Sequence, residues 1–433
     1  MIVHDIEQPL LFPVLERCDP SRDPVSGTYI DNTRLPVHRW IRFSAGFSAA
    51  WAESVIAAAA QEGQTTVFDP FAGSGTTLLA GESVGVESLG VEAQPFIWRM
   101  GSAKLQYRSD PDDFLSTVRA IRLSAARRSP DLDRYPPLIR KCYDGDTLKQ
   151  LDTLRQEIEH RSDDSPIGQL TWLSLVAILR RTSCVNTAQW QYVLPRKPKK
   201  KPEEPLSAFD AMAERMARDM RRLRNAVAAP ARLLRSDART CEGVPSDFAT
   251  LVVSSPPYPN NYDYADATRL EMCFFGEIRG WGELQDAARR FLIRSCTQQV
   301  PEKAENLDTV LSSPLLDAVR AELDPVCREL AETRLLKGGR KTYHLMVACY
   351  FLDLAQTWRA LRRVCTSPSK VCFVIGDSAP YGVHVPVPDW LGRLAVAAGF
   401  SGFRFEPIRD RNVKWKNRKH RVPLCEGRLW VDG

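Results

Sequence analysis

Two short runs of this 433-residue chain carry groups whose types and spacing could do chemistry. The first is Asp69-Pro70-Phe71-Ala72-Gly73-Ser74-Gly75-Thr76-Thr77; the second is Ser255-Pro256-Pro257-Tyr258. The first sets two glycines among a carboxylate and several hydroxyls. Glycine lets a ligand approach the backbone closely, and free amides at the start of a helix point toward it. The second sets a hydroxyl, two prolines and a phenol side by side. The prolines fix the backbone and remove competing amide donors, which leaves hydroxyl and carbonyl oxygens as acceptors beside an aromatic face.

The flanking residues say how these runs are positioned. Thr65-Thr66-Val67-Phe68 is a β-branched and aromatic run of strand type, and Leu78-Leu79-Ala80-Gly81-Glu82 reads as a helix. Thr250-Leu251-Val252-Val253 reads as a second buried strand. Both runs therefore stand at strand ends, where open α/β sheets bind ligands. Together they fit a methyl-donor pocket beside a pocket for a flat, amine-bearing ring.

On these residues the chain resembles the DNA amino-methyltransferases that use S-adenosylmethionine and methylate the exocyclic amine of cytosine or adenine. The Ser-Pro-Pro-Tyr form resembles the cytosine-N4 members; adenine enzymes more often carry Asp or Asn at the serine position. The resemblance implies an α/β fold, a Rossmann-like methyltransferase sheet with a helical insertion and a smaller recognition insertion. It implies S-adenosylmethionine as cofactor and double-stranded DNA as partner, with base flipping, since an amine inside a duplex is out of reach. Asp69 would pair with the donor's ammonium group. Phe71, Gly73 and Gly75 would make room for it, with Pro70, Ala72, Ser74 and Thr76 completing the loop. Ser88-Leu89-Gly90-Val91-Glu92 reads as a strand ending in an acid 23 positions beyond Asp69. A carboxylate there is the usual partner of ribose hydroxyls. Asp237, after the strand-like Ala231-Arg232-Leu233-Leu234, resembles the family's contact to the adenine amino group, although Asp also caps turns. Asp146 is a weaker competitor. On the acceptor side, the Ser255 hydroxyl oxygen and the Pro256 carbonyl would accept from the target amine, Pro257 would hold the turn, and Tyr258 would stack on the base. The Pro-Cys motif of ring-carbon cytosine methyltransferases is absent, which argues against a covalent mechanism.

The function expected is thus site-specific cytosine-N4 methylation of DNA, in restriction-modification or phage defence, with a cognate endonuclease as a candidate partner. Adenine-N6 methylation, RNA amino-methylation and a catalytically silent DNA-binding subunit are the rivals. In the subgroup whose glycine loop reads Asp-Pro-Phe-x-Gly-Ser-Gly-Thr-Thr, the Pro-Pro-Tyr motif usually comes first. Here it comes second, so the order is permuted and the place of target recognition is open.

Bulk composition agrees with a cytoplasmic globular protein. The chain is 44% hydrophobic and 26% charged, ordinary for a globular protein. No apolar run reaches the roughly 18 residues of a membrane span, and the N-terminus lacks signal-peptide features. Eleven cysteines lack any Cys-x-x-Cys pair, which speaks for reduced thiols and against a zinc site. The net charge of +6 is concentrated in two basic runs. One is Arg196, Lys197, Lys199, Lys200 and Lys201. The other spans Arg409 to Arg421, where Lys414, Lys416, Arg418, Lys419 and Arg421 surround Trp415. Such clusters suit a polyanion; the second is the stronger nucleic-acid candidate, as a hairpin or flap between the closing strands, and the first is equally well a solvated loop.

Along the chain, residues 1–37 read as an extended N-terminal arm and 38–99 as the donor-binding part of the methyltransferase domain. The segment through Phe43 and Phe47 leads into a helix expected from Ala49 to Glu62; either ring could serve the donor site or the core. Residues 100–230 read as a helical insertion with little strand signal. Residues 231–276 carry the catalytic motif and a polar aromatic loop, Pro259 to Asp266. Residues 277–340 are the favoured target-recognition region, and 341–433 complete the domain.

Overall fold

The computed structural model describes residues 30–63, 65–161, 164–188, 191–226, 229–301, 305–411 and 422–433. Lys414, Lys416, Arg418, Lys419 and Arg421 lie outside them.

The strands among these residues are β1 (Thr66–Asp69), β2 (Glu87–Val91), β3 (Val185–Thr187), β4 (Val193–Pro198), β5 (Ala231–Leu234), β6 (Ala249–Ser254), β7 (Cys365–Gly376), β8 (Gly402–Arg411) and β9 (Leu424–Asp432). Seven form one sheet in the order β5-β2-β1-β6-β7-β9-β8. β1, β2, β5, β6 and β7 pair in parallel, and β9 runs antiparallel between β7 and β8. The chain moves outward from β1 to β2 and β5, then returns to β6 on the other side of β1. That reversal makes the β1/β6 carboxyl ends the switch point where such sheets bind ligands.

The central strands are buried on both faces, and side-chain alternation divides them. Val67, Leu251, Val253, Cys372 and Val374 face the layer holding Trp51, Ile56 and Ala80, from helices Ala49–Glu62 and Thr76–Val84. Phe68, Val252, Val371, Phe373 and Ile375 face the opposite layer, with Leu354 and Trp358 from helix Tyr343–Val364. Trp358 stacks on Phe373 with ring centres 4.8 Å apart. Truncating so large a buried ring costs about 3–5 kcal/mol.

Between β2 and β5 lies a helical layer with its own apolar core. Three of its helices begin alike. Asp110, Ser165 and Glu204 each cap backbone amides, and Pro111, Pro166 and Pro205 follow at the first helical position. Their amphipathic pattern is what the sequence displays. The layer also contains an antiparallel hairpin, β3–β4, where the sequence carries little strand signal. Its strands are short, and Pro195 and Pro198 in β4 disguise it, because proline reads against a strand and is tolerated only at edges or bulges. Arg196 and Lys197 therefore sit on a strand rather than a loop.

Residues 30–37 depart from an extended arm. Leu35 and Val37 are buried, and the Asn32 side chain donates to Phe47 O at 2.7 Å and accepts from Ala49 N at 2.9 Å. In the region favoured for target recognition, helix Arg320–Thr333 buries Leu323, Cys327 and Leu330 against the sheet's helical layer.

Candidate active site

The glycine loop and the Ser-Pro-Pro-Tyr turn leave adjacent parallel strands, β1 and β6, and open onto one cavity of about 450 Å³. That volume is typical of a small-ligand site. Pro70, Phe71, Gly73, Glu92, Asp237, Ser255 and Pro257 line it. Asp69, Ala72, Ser74, Gly75, Thr76, Pro256 and Tyr258 are not among its lining residues.

Asp69 requires a correction. It is fully enclosed beneath the loop, because its side chain turns toward β6. Oδ1 accepts from the Ser254 hydroxyl and, at 2.9 Å, from Phe71 N. Oδ2 is buried without a hydrogen-bond partner among the described residues. The nearby Thr77 hydroxyl commits its one proton to Val253 O at 3.0 Å. Burial pushes the Asp69 carboxyl up to about 6, against the Ser254 and Phe71 hydrogen bonds. The carboxyl thus sits under the loop and out of the cavity, where it braces the loop against β6.

Glu92 closes the loop from β2. Its two oxygens accept from Gly73 N at 3.0 Å and Gln94 N at 2.8 Å. Burial first, and the charge of Asp69 in addition, push it up to about 7 despite those amides. Gly73 has φ +53°, and a Cβ there would stand 3.0 Å from the Phe43 ring. The loop is thus shaped for a ligand lying against bare backbone. Phe43 lines this cavity, whereas Phe47 is buried against Trp51, so the two rings divide the roles left open between them. These residues fit S-adenosylmethionine. Glu92 would meet its ribose hydroxyls, and Phe43, Phe71 and Gly73 would make its apolar and backbone contacts. When bound, the donor supplies an activated methyl group on sulfur.

Asp237 is placed at the cavity and also acts as a turn cap, through Arg239 N at 2.8 Å, while pairing with the Arg239 guanidinium. Asp146 is exposed on a distant helix and pairs with Lys149.

On the acceptor side, the Ser255 hydroxyl donates to Val374 O of β7 at 3.0 Å. A hydroxyl has one proton, so the remaining lone pairs of Oγ are left to accept. Tyr258 donates to the same carbonyl at 3.3 Å. The Arg411 guanidinium lies 4.9 Å from the centre of the Tyr258 ring and is itself held by Asp377 O at 2.8 Å. One face of this ring is therefore covered. The aromatic side chains that do line the cavity from the following loop are Tyr262 and Tyr264, edge to face at 4.6 Å.

Some lining residues carry little signal in sequence. Gln94 caps helix Pro95–Lys104 by accepting from Ile97 N at 2.6 Å, and its amide donates to Thr268 at 2.8 Å. Its only trace is a capping residue before a proline. Arg180, in the helical layer, pairs with Glu271 at 2.8 Å and donates to Ala267 O at 2.7 Å. Nothing in sequence links residues that far apart. Among the described residues no cluster of three potential metal ligands occurs, and no helix is long and apolar enough to cross a membrane.

The chain is similar to known DNA methyltransferases. A family model described as DNA methylase matches residues 17–102, which include the glycine loop and end before Ser255. The chain is 23% identical over 434 residues to the Type II methyltransferase M.BsoBI of Geobacillus stearothermophilus, spanning 89% of this chain and 82% of that one. It is also 23% identical over 407 residues to the Type II methyltransferase M.AvaI of Nostoc sp. (strain PCC 7120 / SAG 25.82 / UTEX 2576), spanning 86% and 80%. No solved structure matches. With a donor loop and an amine-acceptor turn on neighbouring strands of a Rossmann-like sheet, the chain is similar to the N6/N4 amino-methyltransferases among DNA methylases, whose methyl donor is S-adenosylmethionine.

Proposed function

We propose that this protein transfers a methyl group from S-adenosylmethionine to the N4 amine of cytosine in duplex DNA, as the modification enzyme of a restriction-modification system. The observation that carries the reading is Ser255. It stands at the end of β6 with its proton committed to Val374 O, beside a cavity that also reaches the glycine loop. An exocyclic amine delocalises its lone pair into the ring. Acceptors for its two protons favour a pyramidal nitrogen and return that lone pair toward the methyl carbon. The Ser255 oxygen and the Pro256 carbonyl are the acceptors in this reading. A neutral serine, where an acid would stand in many adenine enzymes, supports cytosine. The relatives' names, both Type II methyltransferases, support the DNA substrate and the restriction context.

The work of this chain is positioning: holding two ligands at a near-attack distance replaces an encounter in solution. The test incubates the protein with labelled donor and duplex DNA, followed by mass spectrometry of the nucleosides. N4-methylcytosine is expected. N6-methyladenine would move the assignment to the adenine branch, and 5-methylcytosine alone would falsify the mechanism.

A further inference from the structure

The β3–β4 hairpin lines the cavity through Val185, Asn186, Thr187 and Gln191 and is fastened on both sides. At its tip, the Gln191 side chain donates to Arg42 O at 2.6 Å and accepts from the Ser44 amide and hydroxyl at 3.0 and 2.7 Å. The Tyr192 hydroxyl accepts from Asp263 N, in the loop after the catalytic turn, at 2.8 Å. The hairpin is therefore a strap tied to the donor-side segment and to the acceptor-side loop.

Its stem is basic. Arg196, Lys197, Lys200 and Lys201 are exposed and make no ion pair among the described residues. The wall beside it continues that charge. Lys199 and Arg181 line the cavity; Lys199 Nζ is held by Arg181 O at 2.8 Å and Arg181 pairs with Glu203 at 2.6 Å. Arg215, from helix Pro205–Leu223, lines the cavity too and makes no hydrogen bond or ion pair among the described residues. Burial, and then the like charges of Arg181 and Arg39, hold its guanidinium below its ordinary value. Arg218, one turn on, is exposed and likewise unpaired among the described residues. Glu203 and Asp219 offset part of this charge, through Arg181 and Arg39, but Arg215 and Arg218 keep no ion pair among the described residues, and an anion beside them would relieve their mutual repulsion.

We propose that the β3–β4 strap, with Arg215 and Arg218, is the wall against which the phosphodiester backbone of the substrate DNA lies as the target base enters the cavity. This rests on the DNA-methylating reading above and adds the surface that holds the strand. It assigns the helical insertion, rather than residues 277–340, to the DNA interface. Phosphate contacts of this kind supply affinity and register and carry little sequence information.

The test uses the full-length protein and a fluorescent mixed-sequence duplex. One variant combines Arg196→Gln, Lys197→Gln, Lys200→Gln and Lys201→Gln, a second is Arg215→Gln, and a charge control combines Arg127→Gln with Arg359→Gln, which do not line the cavity. Duplex affinity should fall in the first two, and the log-log salt slope should drop by roughly 0.9 for each phosphate that is no longer neutralised. The control should match the wild type. Donor affinity, measured by calorimetry on the same samples, should be unchanged and certifies folding; Arg215→Gln carries the test if the fourfold variant does not fold. Wild-type affinity and salt slope in both strap variants would overturn the inference alone. A wild-type protein that binds donor but no duplex would overturn the inference and the proposed function together.

Discussion

Replacing Glu92 with Gln should remove a pH step from donor binding. Burial and the neighbouring Asp69 charge raise Glu92 to about 7, from an ordinary value of 4.5. For an acid raised in this way, the folded protein keeps a proton that the unfolded chain has released. Stability therefore falls as pH climbs from about 4.5 to about 7 and levels off above. Donor binding has the opposite sign. Ribose hydroxyls donate best to an ionised carboxylate, so the donor favours the deprotonated form and binding releases a proton. With Glu92 at about 7, the ionised fraction rises from about one-tenth at pH 6 to about nine-tenths at pH 8, so affinity should rise about tenfold, ~1.4 kcal/mol. Glu92→Gln cannot ionise, and its amide can accept from only one of the Gly73 and Gln94 amides. It should bind more weakly at pH 8 by about 1–3 kcal/mol, the range of a hydrogen bond to a charged group, with the Glu92 step gone. Calorimetry at pH 6, 7 and 8, in two buffers of different ionisation enthalpy, reads affinity and proton release together. The donor's own amine titrates near about 8 in both proteins, so the difference between them is decisive. Parallel affinity curves with equal proton release would refute the reasoning.

Three further outcomes are expected. Gly73→Asp should abolish donor binding, because a positive φ costs a non-glycine residue roughly 1–2 kcal/mol and the new side chain meets the Phe43 ring; unchanged calorimetric affinity would remove the loop from the donor site. Ser255→Ala should lower kcat about 10- to 100-fold, from the loss of roughly 1.5–3 kcal/mol of acceptor bonding, with donor affinity intact; single-turnover methylation at the wild-type rate would exclude Oγ from the reaction. Neutralising Lys416, Arg418 and Lys419 should weaken specific and random duplexes alike and lower the salt slope by roughly 0.9 per phosphate released; an unaltered slope would leave this run solvated.

Where local rules set the structure, the sequence is legible. Helix Ala49–Glu62 has the expected bounds because Ser48 caps Trp51 N and Gly63 ends it. The glycine loop and the catalytic turn stand out because each is a contiguous motif behind a buried strand. What escapes depends on contacts across the chain. Asp69 reads in sequence as part of the loop, but only the placement of β6 turns its side chain to Ser254, away from the cavity. Tyr258 reads as a stacking face, and Arg411, far along the chain, covers one side of it. The β3–β4 strap is hidden by its prolines and gains its meaning from Arg42, Ser44 and Asp263, none of them near it in sequence.

The direct pairing of β1 with β6 bears on how such an enzyme can be rewired. Donor loop and acceptor turn are aligned by strand spacing, about 4.8 Å between neighbours in a sheet, and by the Ser254–Asp69 bond. The residues between β2 and β5 contribute no strand to that sheet; they are a tether. Closing a longer tether is entropically cheap, about 0.6 kcal/mol for each doubling of its length. A lineage can therefore lengthen this stretch, cut it and rejoin it elsewhere, or load it with a surface for a new target, while methyl and amine still meet at the same two strand ends.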